Sequence, residues 1–246
     1  MKHDIMIFGH RGASNIAPEN TLKAFKKAID LGANFIEFDL QEASDGNLVI
    51  THDKDIQRIT GKKGFIKAMT LKELKQLDFG EGEKIPTLTE LVEITKGKIG
   101  LNCEIIVPNI AKKTIEIFRK YSMIDSVILS SFLHDELLKV QKLEPSLKLA
   151  SLEPTDSKIR LDWNMKKGMI QFCIDNDLFA INPFVMMVDE AFVNYAHKNN
   201  IKVFPWTVDS KLLIKKLIKL GVDGIITDDI MLTKEIFKNK YYSKNK

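Results

Sequence analysis

The sequence predicts an α/β protein, a (β/α)8 TIM barrel with a small insertion after its second strand, on three observations. Short apolar runs alternate with stretches of helical periodicity along the chain, as expected of parallel strands joined by helices. Eight such runs can be read, at residues 5–8, 35–40, 99–103, 126–129, 148–152, 178–181, 202–204 and 224–226, and eight parallel βα units close a barrel. The 246 residues match the ~250 typical of one such barrel. An open doubly wound sheet is the runner-up, but no Gly-rich dinucleotide loop follows the first run.

The helices follow from spacing. Leu22, Phe25, Ala28 and Ile29 fall on one helical face, with Asn20 as the expected cap and Gly32 as the stop. Ile115, Phe118 and Tyr121 repeat the pattern, as do Phe192, Tyr195 and Ala196. The last helix is expected over residues 232–237. Residues 48–50 read as an extra strand leading to His52. Residues 54–87 break the repeat with Gly61, Gly64, Gly80, Gly82, a short helix at 71–77 and Pro86, before a helix at 88–95. Irregular stretches of that length in compact domains are usually functional, so this one is expected over the barrel's top face. The expected organisation is therefore one domain over 1–246, with 54–87 inserted within it.

Composition narrows the class. Hydrophobic residues at 44% and charged residues at 28% are ordinary for a soluble globular chain. A net charge of +4 is too mild to imply nucleic acid, so a small-molecule partner is expected, and a modest positive field favours an anionic one. Cys103 and Cys173 sit in apolar surroundings and read as buried free thiols. The first apolar stretch is too short for a signal peptide or membrane span, so a cytoplasmic protein without stable membrane insertion is expected.

The informative pattern is where the polar groups fall. His10 and Arg11 follow the first run, Glu37 and Asp39 lie in the second, and His52, Glu104, Phe132, Trp206 and Asp228 sit at later run ends. The carboxyl ends of barrel strands meet at one face, so these residues should converge. Glu37 and Asp39, two apart on a strand, share a side. Two carboxylates in an apolar interior repel and lose solvation; a bound cation removes both penalties, and an Arg or Lys network is the alternative. Glu104, on the neighbouring strand, offers a third oxygen ligand, and such a set suits Mg²⁺ or Ca²⁺ rather than zinc.

His10 and His52 read either as an acid/base pair or as core histidines. Arg11 offers a fork for phosphate oxygens or an ordinary salt bridge. In Pro18-Glu19-Asn20-Thr21, Glu19 is expected to support a histidine or reach the metal shell. Phe132 and Trp206 read as an apolar wall for a substrate's carbon skeleton or as core. Asp228 and Asp229 are expected to cap the last helix, and His3, His134 and His197 to lie on the surface.

Gly9-His10-Arg11-Gly12, Pro18-Glu19-Asn20-Thr21, Glu37-Phe38-Asp39-Leu40, Asp45-Gly46 and His52-Asp53 come in an order that resembles the glycerophosphodiester phosphodiesterase family, of the bacterial cytoplasmic type. Leu101-Asn102-Cys103-Glu104, Ser131-Phe132, Pro205-Trp206-Thr207-Val208 and Gly221-Val222-Asp223-Gly224 extend the resemblance over nearly the whole chain. It implies a TIM barrel with an insertion where 54–87 lies, Glu37, Asp39 and Glu104 as divalent-metal ligands, His10 and His52 as general acid and base, and Arg11 on the phosphate. The implied reaction cleaves glycerophosphodiesters to sn-glycerol 3-phosphate and an alcohol; within it, our own expectation is His10 as base and His52 as acid. Two positions depart from the family pattern: Ile106 stands where members often carry Lys, and Asp209 where Asn is usual. Two rival readings keep the fold. One is a lysophospholipase D-type activity with Phe65, Ile66, Met69 and Phe79 around an apolar mouth; the other is an inactive phosphodiester-binding barrel.

Overall fold

A computed structural model describes residues 5–156 and 162–242, so His3 lies outside the described residues. Its strands are β1 (Met6–Gly9), β2 (Phe35–Glu42), β3 (Leu48–Ile50), β4 (Gly100–Ile105), β5 (Val127–Ser131), β6 (Lys148–Glu153), β7 (Ala180–Pro183), β8 (Lys202–Val203) and β9 (Gly224–Thr227). The helices are α1 (Leu22–Asp30), α2 (Gln57–Thr60), α3 (Leu71–Leu74), α4 (Leu88–Thr95), α5 (Ala111–Lys120), α6 (His134–Leu143), α7 (Trp163–Asp175), α8 (Glu190–Lys198), α9 (Lys211–Leu220) and α10 (Ile230–Tyr242). The sheet runs β8-β7-β6-β5-β4-β2-β1-β9, parallel throughout, and β3 adds antiparallel to β2. Backbone bonds from Asp223 N to Val203 O, Ile226 N to Pro205 O and Val208 N to Ile226 O close the seam between the first and last strands of that order. The expected (β/α)8 barrel is thus present.

Two-residue alternation along the strands sorts the side chains. Ile36, Phe38 and Leu40 join the shell between sheet and helices, while Phe35, Glu37 and Asp39 face the other way, into the barrel. Phe8, Ile128, Ala150, Ala180, Phe204 and Ile226 pack in the barrel interior. Phe8 stacks on Phe35 at 4.7 Å and meets Phe204 at 4.8 Å. This apolar plug fills one end of the barrel, leaving polar inward positions for the strands' carboxyl ends.

Several local expectations need correction. Thr21, not Asn20, caps α1, accepting from Ala24 N at 3.2 Å; Asn20 takes φ +57 and turns its side chain elsewhere. The short helix ends at Leu74, and the last helix is longer than residues 232–237. His134 is partly buried rather than on the surface, stacked on Phe172 at 4.3 Å with Nε2 3.4 Å from the Glu153 carboxylate. His197 is exposed, as expected, with Nε2 2.7 Å from Asp223 Oδ2. Cys103 and Cys173 are buried and free, as expected. Among the described residues, no helix is long and apolar enough to cross a membrane.

Residues 54–87 build a satellite core. Ile56, Ile66, Leu74, Leu77, Phe79 and Ile85 pack with Ala43 and Val49 beside β2 and β3. Ile66 and Phe79 are therefore spent on packing, and of the residues invoked for an apolar mouth only Phe65 is exposed. The lysophospholipid reading loses the feature that motivated it.

The barrel plug makes one position sensitive. A Cβ on Gly224 would lie 2.6 Å from Phe8 Cε2 and 2.9 Å from Phe204 Cδ1, and both rings are fully buried. Gly224→Ala should destabilise by about 1–3 kcal/mol, the usual cost of overpacking, measured by urea denaturation; an unchanged midpoint would show that the plug has slack.

Candidate active site

Strand register builds the acidic group. Asp39 on β2 pairs with Glu104 on β4, and Glu37 lies two residues back on the same face. One oxygen from each of the three carboxylates lies within 4.8 Å of the others. Glu37 and Asp39 are buried. Burial, then the charge of Asp39, pushes the Glu37 carboxyl up to about 7, against the pull of His10 and Arg11. Burial, then Asp39 and Glu37, raises Glu104 well above the usual carboxylate range.

The surroundings offset this charge only in part. The Arg11 backbone N–H donates to Glu37 at 2.8 Å, the Asn20 amide donates to Asp39 at 2.7 Å, and Arg11 Nε lies 3.3 Å from Asp39. No ion pair or hydrogen bond reaches the Glu104 carboxylate among the described residues. One guanidinium cannot offset the cost of ionising three carboxylates, as the raised Glu37 and Glu104 show, so the all-oxygen set fits a hard divalent cation such as Mg²⁺ or Ca²⁺.

Both expected histidines reach the same cavity, of about 100 Å³, which Arg11, Glu37, Glu104, Phe132 and Trp206 also line. Each imidazole is held by a carboxylate. His10 Nδ1 lies 2.6 Å from Asp228 Oδ1, and its Nε2 lies 4.0 Å from Glu37. Burial lowers the His10 pKa, but the Asp228 bond and then the Glu37 charge outweigh it, and the net shift is upward. His52 Nδ1 lies 2.7 Å from Asp53 Oδ1. Burial raises the Asp53 carboxyl, yet bonds from Arg58 and His52 hold it below its ordinary value. A carboxylate on Nδ1 fixes that nitrogen as donor and leaves Nε2 for proton transfer.

Phe132 and Trp206 meet edge to face at 5.6 Å, and Trp206 Nε1 donates to the Asn182 carbonyl at 2.8 Å. They form an aromatic wall to the cavity. A wider space of about 760 Å³ shares His52, Glu104 and Phe132 with it, and Lys54, Arg58 and Ile106 line it as well. Ile106 thus brings an apolar face to this wider space, with Lys54 as a cation on its lining.

Other residues depart from expectation. Glu19 makes no direct contact with a histidine and stands outside the acidic trio; it accepts from Arg11 Nη1 at 2.8 Å and from Arg58. Asp229 does cap the last helix, accepting from Leu232 N at 2.8 Å, but Asp228 orients His10 instead. Asp209 accepts from the Asp228 N–H at 2.8 Å and the Thr227 hydroxyl at 2.9 Å, fixing the end of β9. Sequence reasoning placed Asp228 at the converging strand ends but read it as a helix cap, and it missed Asp53 and Arg58 as site residues. Asp53 had a signal, being adjacent to His52, and Asp228 stood at a strand end; Arg58 had none.

A barrel whose strand ends gather three carboxylates, two oriented imidazoles and an arginine at one end has the layout of a hydrolase. The family model described as glycerophosphoryl diester phosphodiesterase family matches residues 10–232, and the chain belongs to that family. It is 41% identical over 237 residues to a glycerophosphodiester phosphodiesterase of Caldanaerobacter subterraneus subsp. tengcongensis, covering 91% of this chain and 94% of that one. A glycerophosphodiester phosphodiesterase of Bacillus altitudinis is 33% identical over 236 residues, covering 90% and 94%. Among solved structures, an Oleispira antarctica phosphodiesterase in complex with the product sn-glycerol-3-phosphate superposes with a TM-score of 0.84 at 27% identity, covering 95% of this chain and 96% of that one.

The raised Glu37 carboxyl gives a sign for pH dependence. Its folded pKa, about 7, lies above its ordinary 4.5, so the unfolded chain releases this proton first and metal-free stability falls as pH rises between those values. A divalent cation should offset that loss. At a hundredfold excess over Kd it should add ~2.7 kcal/mol, or about 5–10 °C in Tm for a chain of this size. Mg²⁺ or Ca²⁺ should therefore raise Tm more at pH 8 than at pH 5, and Glu37→Gln/Glu104→Gln should abolish the increment. A Tm indifferent to the cation at both pH values would refute a cation site here.

Proposed function

We propose that this chain is a metal-dependent glycerophosphodiester phosphodiesterase that cleaves small glycerophosphodiesters to sn-glycerol 3-phosphate and an alcohol. The observation that carries the reading is the pair of imidazoles, each with Nδ1 held by a carboxylate, lining one cavity with Glu37 and Glu104 of the acidic trio.

In this reading Glu37, Asp39 and Glu104 hold the divalent ion. When bound, such an ion supplies positive charge against the negative charge that develops at phosphorus. Arg11 binds a phosphate oxygen with the N–H groups that Glu19 leaves free. Phe132 and Trp206 pack against the glycerol carbons. His10, the more buried imidazole, takes the proton of the nucleophile, either water or the substrate's adjacent 2-hydroxyl. His52 lines both the inner cavity and the wider space, so it gives a proton to the alcohol oxygen as the alcohol departs to that side. The inactive-barrel alternative leaves the two carboxylate–imidazole pairs without a purpose.

Glycerophosphocholine and glycerophosphoethanolamine are the test substrates, assayed with EDTA and with added Mg²⁺, Ca²⁺ or Mn²⁺. Turnover should require the cation, and His10→Ala or His52→Ala should each lose about 10²–10⁴ in kcat. Undiminished turnover in EDTA would end the metal-dependent reading; near-normal turnover by His52→Ala would end its role as the acid. A transient cyclic phosphate, seen by phosphorus NMR, would assign the 2-hydroxyl as nucleophile.

A further inference from the structure

His52 sits at the mouth of the cavity with its side chain 46% exposed, so the barrel core does not hold it. Its orientation rests on Asp53. Asp53 in turn is bound by Arg58 of α2, whose Nε meets Asp53 Oδ2. The two terminal nitrogens of Arg58 reach both oxygens of Glu19, at 2.7 and 3.0 Å. Glu19 Oε1 also accepts from Arg11 at 2.8 Å. One guanidinium therefore joins two carboxylates, and each of these holds a residue of the catalytic cavity.

We propose that Arg58 is a positioning residue: through Asp53 and Glu19 it fixes the His52 imidazole relative to the Arg11 guanidinium, coupling residues 54–87 to proton donation at the leaving alcohol. This rests on the proposed role of His52 as acid.

The geometry argues for a clamp rather than a substrate ligand. Three of the five N–H donors of a guanidinium are committed to carboxylates. The planar fork lets Arg58 meet Glu19 with two nitrogens and Asp53 with a third, an arrangement a point-charge ammonium cannot reproduce. The clamp is rooted in the satellite core, since Ile56, immediately before α2, is buried. Asp55 also caps this turn, accepting from Gln57 N at 2.7 Å. The Arg58 head is half exposed, and exposed ion pairs contribute little to folding, so the expected consequence is catalytic.

The experiment compares wild type, Arg58→Ala, Arg58→Lys, Asp53→Asn and His52→Ala on two substrates. Glycerophosphocholine has a leaving alcohol that needs a proton; glycerophospho-p-nitrophenol has one that does not. Arg58→Ala should lower kcat on glycerophosphocholine by about 10–100-fold. The kcat ratio of the two substrates should shift by about tenfold or more, in the direction set by His52→Ala. Asp53→Asn should give the same direction, Arg58→Lys should fail to restore the ratio, and Arg58→Ala/Asp53→Asn should lose no more than the worse single variant. Equal losses on both substrates, full rescue by Lys, or an unchanged ratio in Arg58→Ala would each overturn the proposal. If Arg58→Ala fails to fold, the Asp53→Asn and Arg58→Lys ratios decide it alone. A wild type inactive on both substrates, or a His52→Ala without leaving-group dependence, would instead locate the failure in the proposed function.

Discussion

The crowding of Glu37, Asp39 and Glu104 is the constraint around which the rest of the molecule is arranged. Three carboxylates with oxygens within 4.8 Å of one another are costly in a low-dielectric interior. The fold supports them from the loop between β1 and α1. Arg11 and Asn20 both adopt left-handed backbone, with φ +55 and +57, a conformation that costs a non-glycine residue about 1 kcal/mol or more. In return the Arg11 N–H points at Glu37 and the Asn20 side chain at Asp39. Gly12 completes the loop at φ +89, where a Cβ would lie 2.8 Å from the Ala24 backbone. The strain is local and it serves the acid group.

The two imidazoles stand in contrasting environments, the kind of difference that a division between base and acid would use. His10 is buried between Asp228 and Glu37, which favour its charged form. His52 stands at the solvent edge, on a carboxylate whose charge is shared with Arg58. Asp209 stabilises the first arrangement by fixing the Asp228 backbone. The two supporting carboxylates thus come from opposite parts of the chain, one after β9 and one after β3.

How much of this was legible in the sequence follows from the range of each interaction. Strand alternation put Glu37 and Asp39 on one face, and the barrel rule brought His10, His52, Glu104, Phe132 and Trp206 to one end; both depend on short-range periodicity. The Asp228 contact with His10 spans 218 residues and the Arg58 contact with Glu19 spans 39. Periodicity says that Asp228 stands at a strand end but not which side chain it faces. Helix-capping logic claimed it, and the claim was true only of its neighbour Asp229. Asn20 misled for the same reason: its residue type suits a cap, while tertiary contact with Asp39 left capping to Thr21. The four glycines and Pro86 marked 54–87 as irregular, but could not reveal that Ile66 and Phe79 would be consumed by a separate core.

The charge balance of the site bears on how binding and chemistry are joined. Glu19, Glu37, Asp39, Asp53, Glu104 and Asp228 surround the site, whose two arginines, Arg11 and Arg58, already serve carboxylates, while Lys54 lines only the wider space. A phosphodiester carries a negative charge of its own, and a metal-free site whose arginines serve carboxylates and whose Glu37 and Glu104 are held toward the protonated form offers it little net attraction. A divalent ion among the trio would place positive charge beside the phosphate oxygens at short range, where screening is weakest. Cation and substrate would then bind with positive coupling, each tightening the other by the same factor. The crowding that costs the apo protein stability is, on this argument, what makes substrate affinity conditional on the ion.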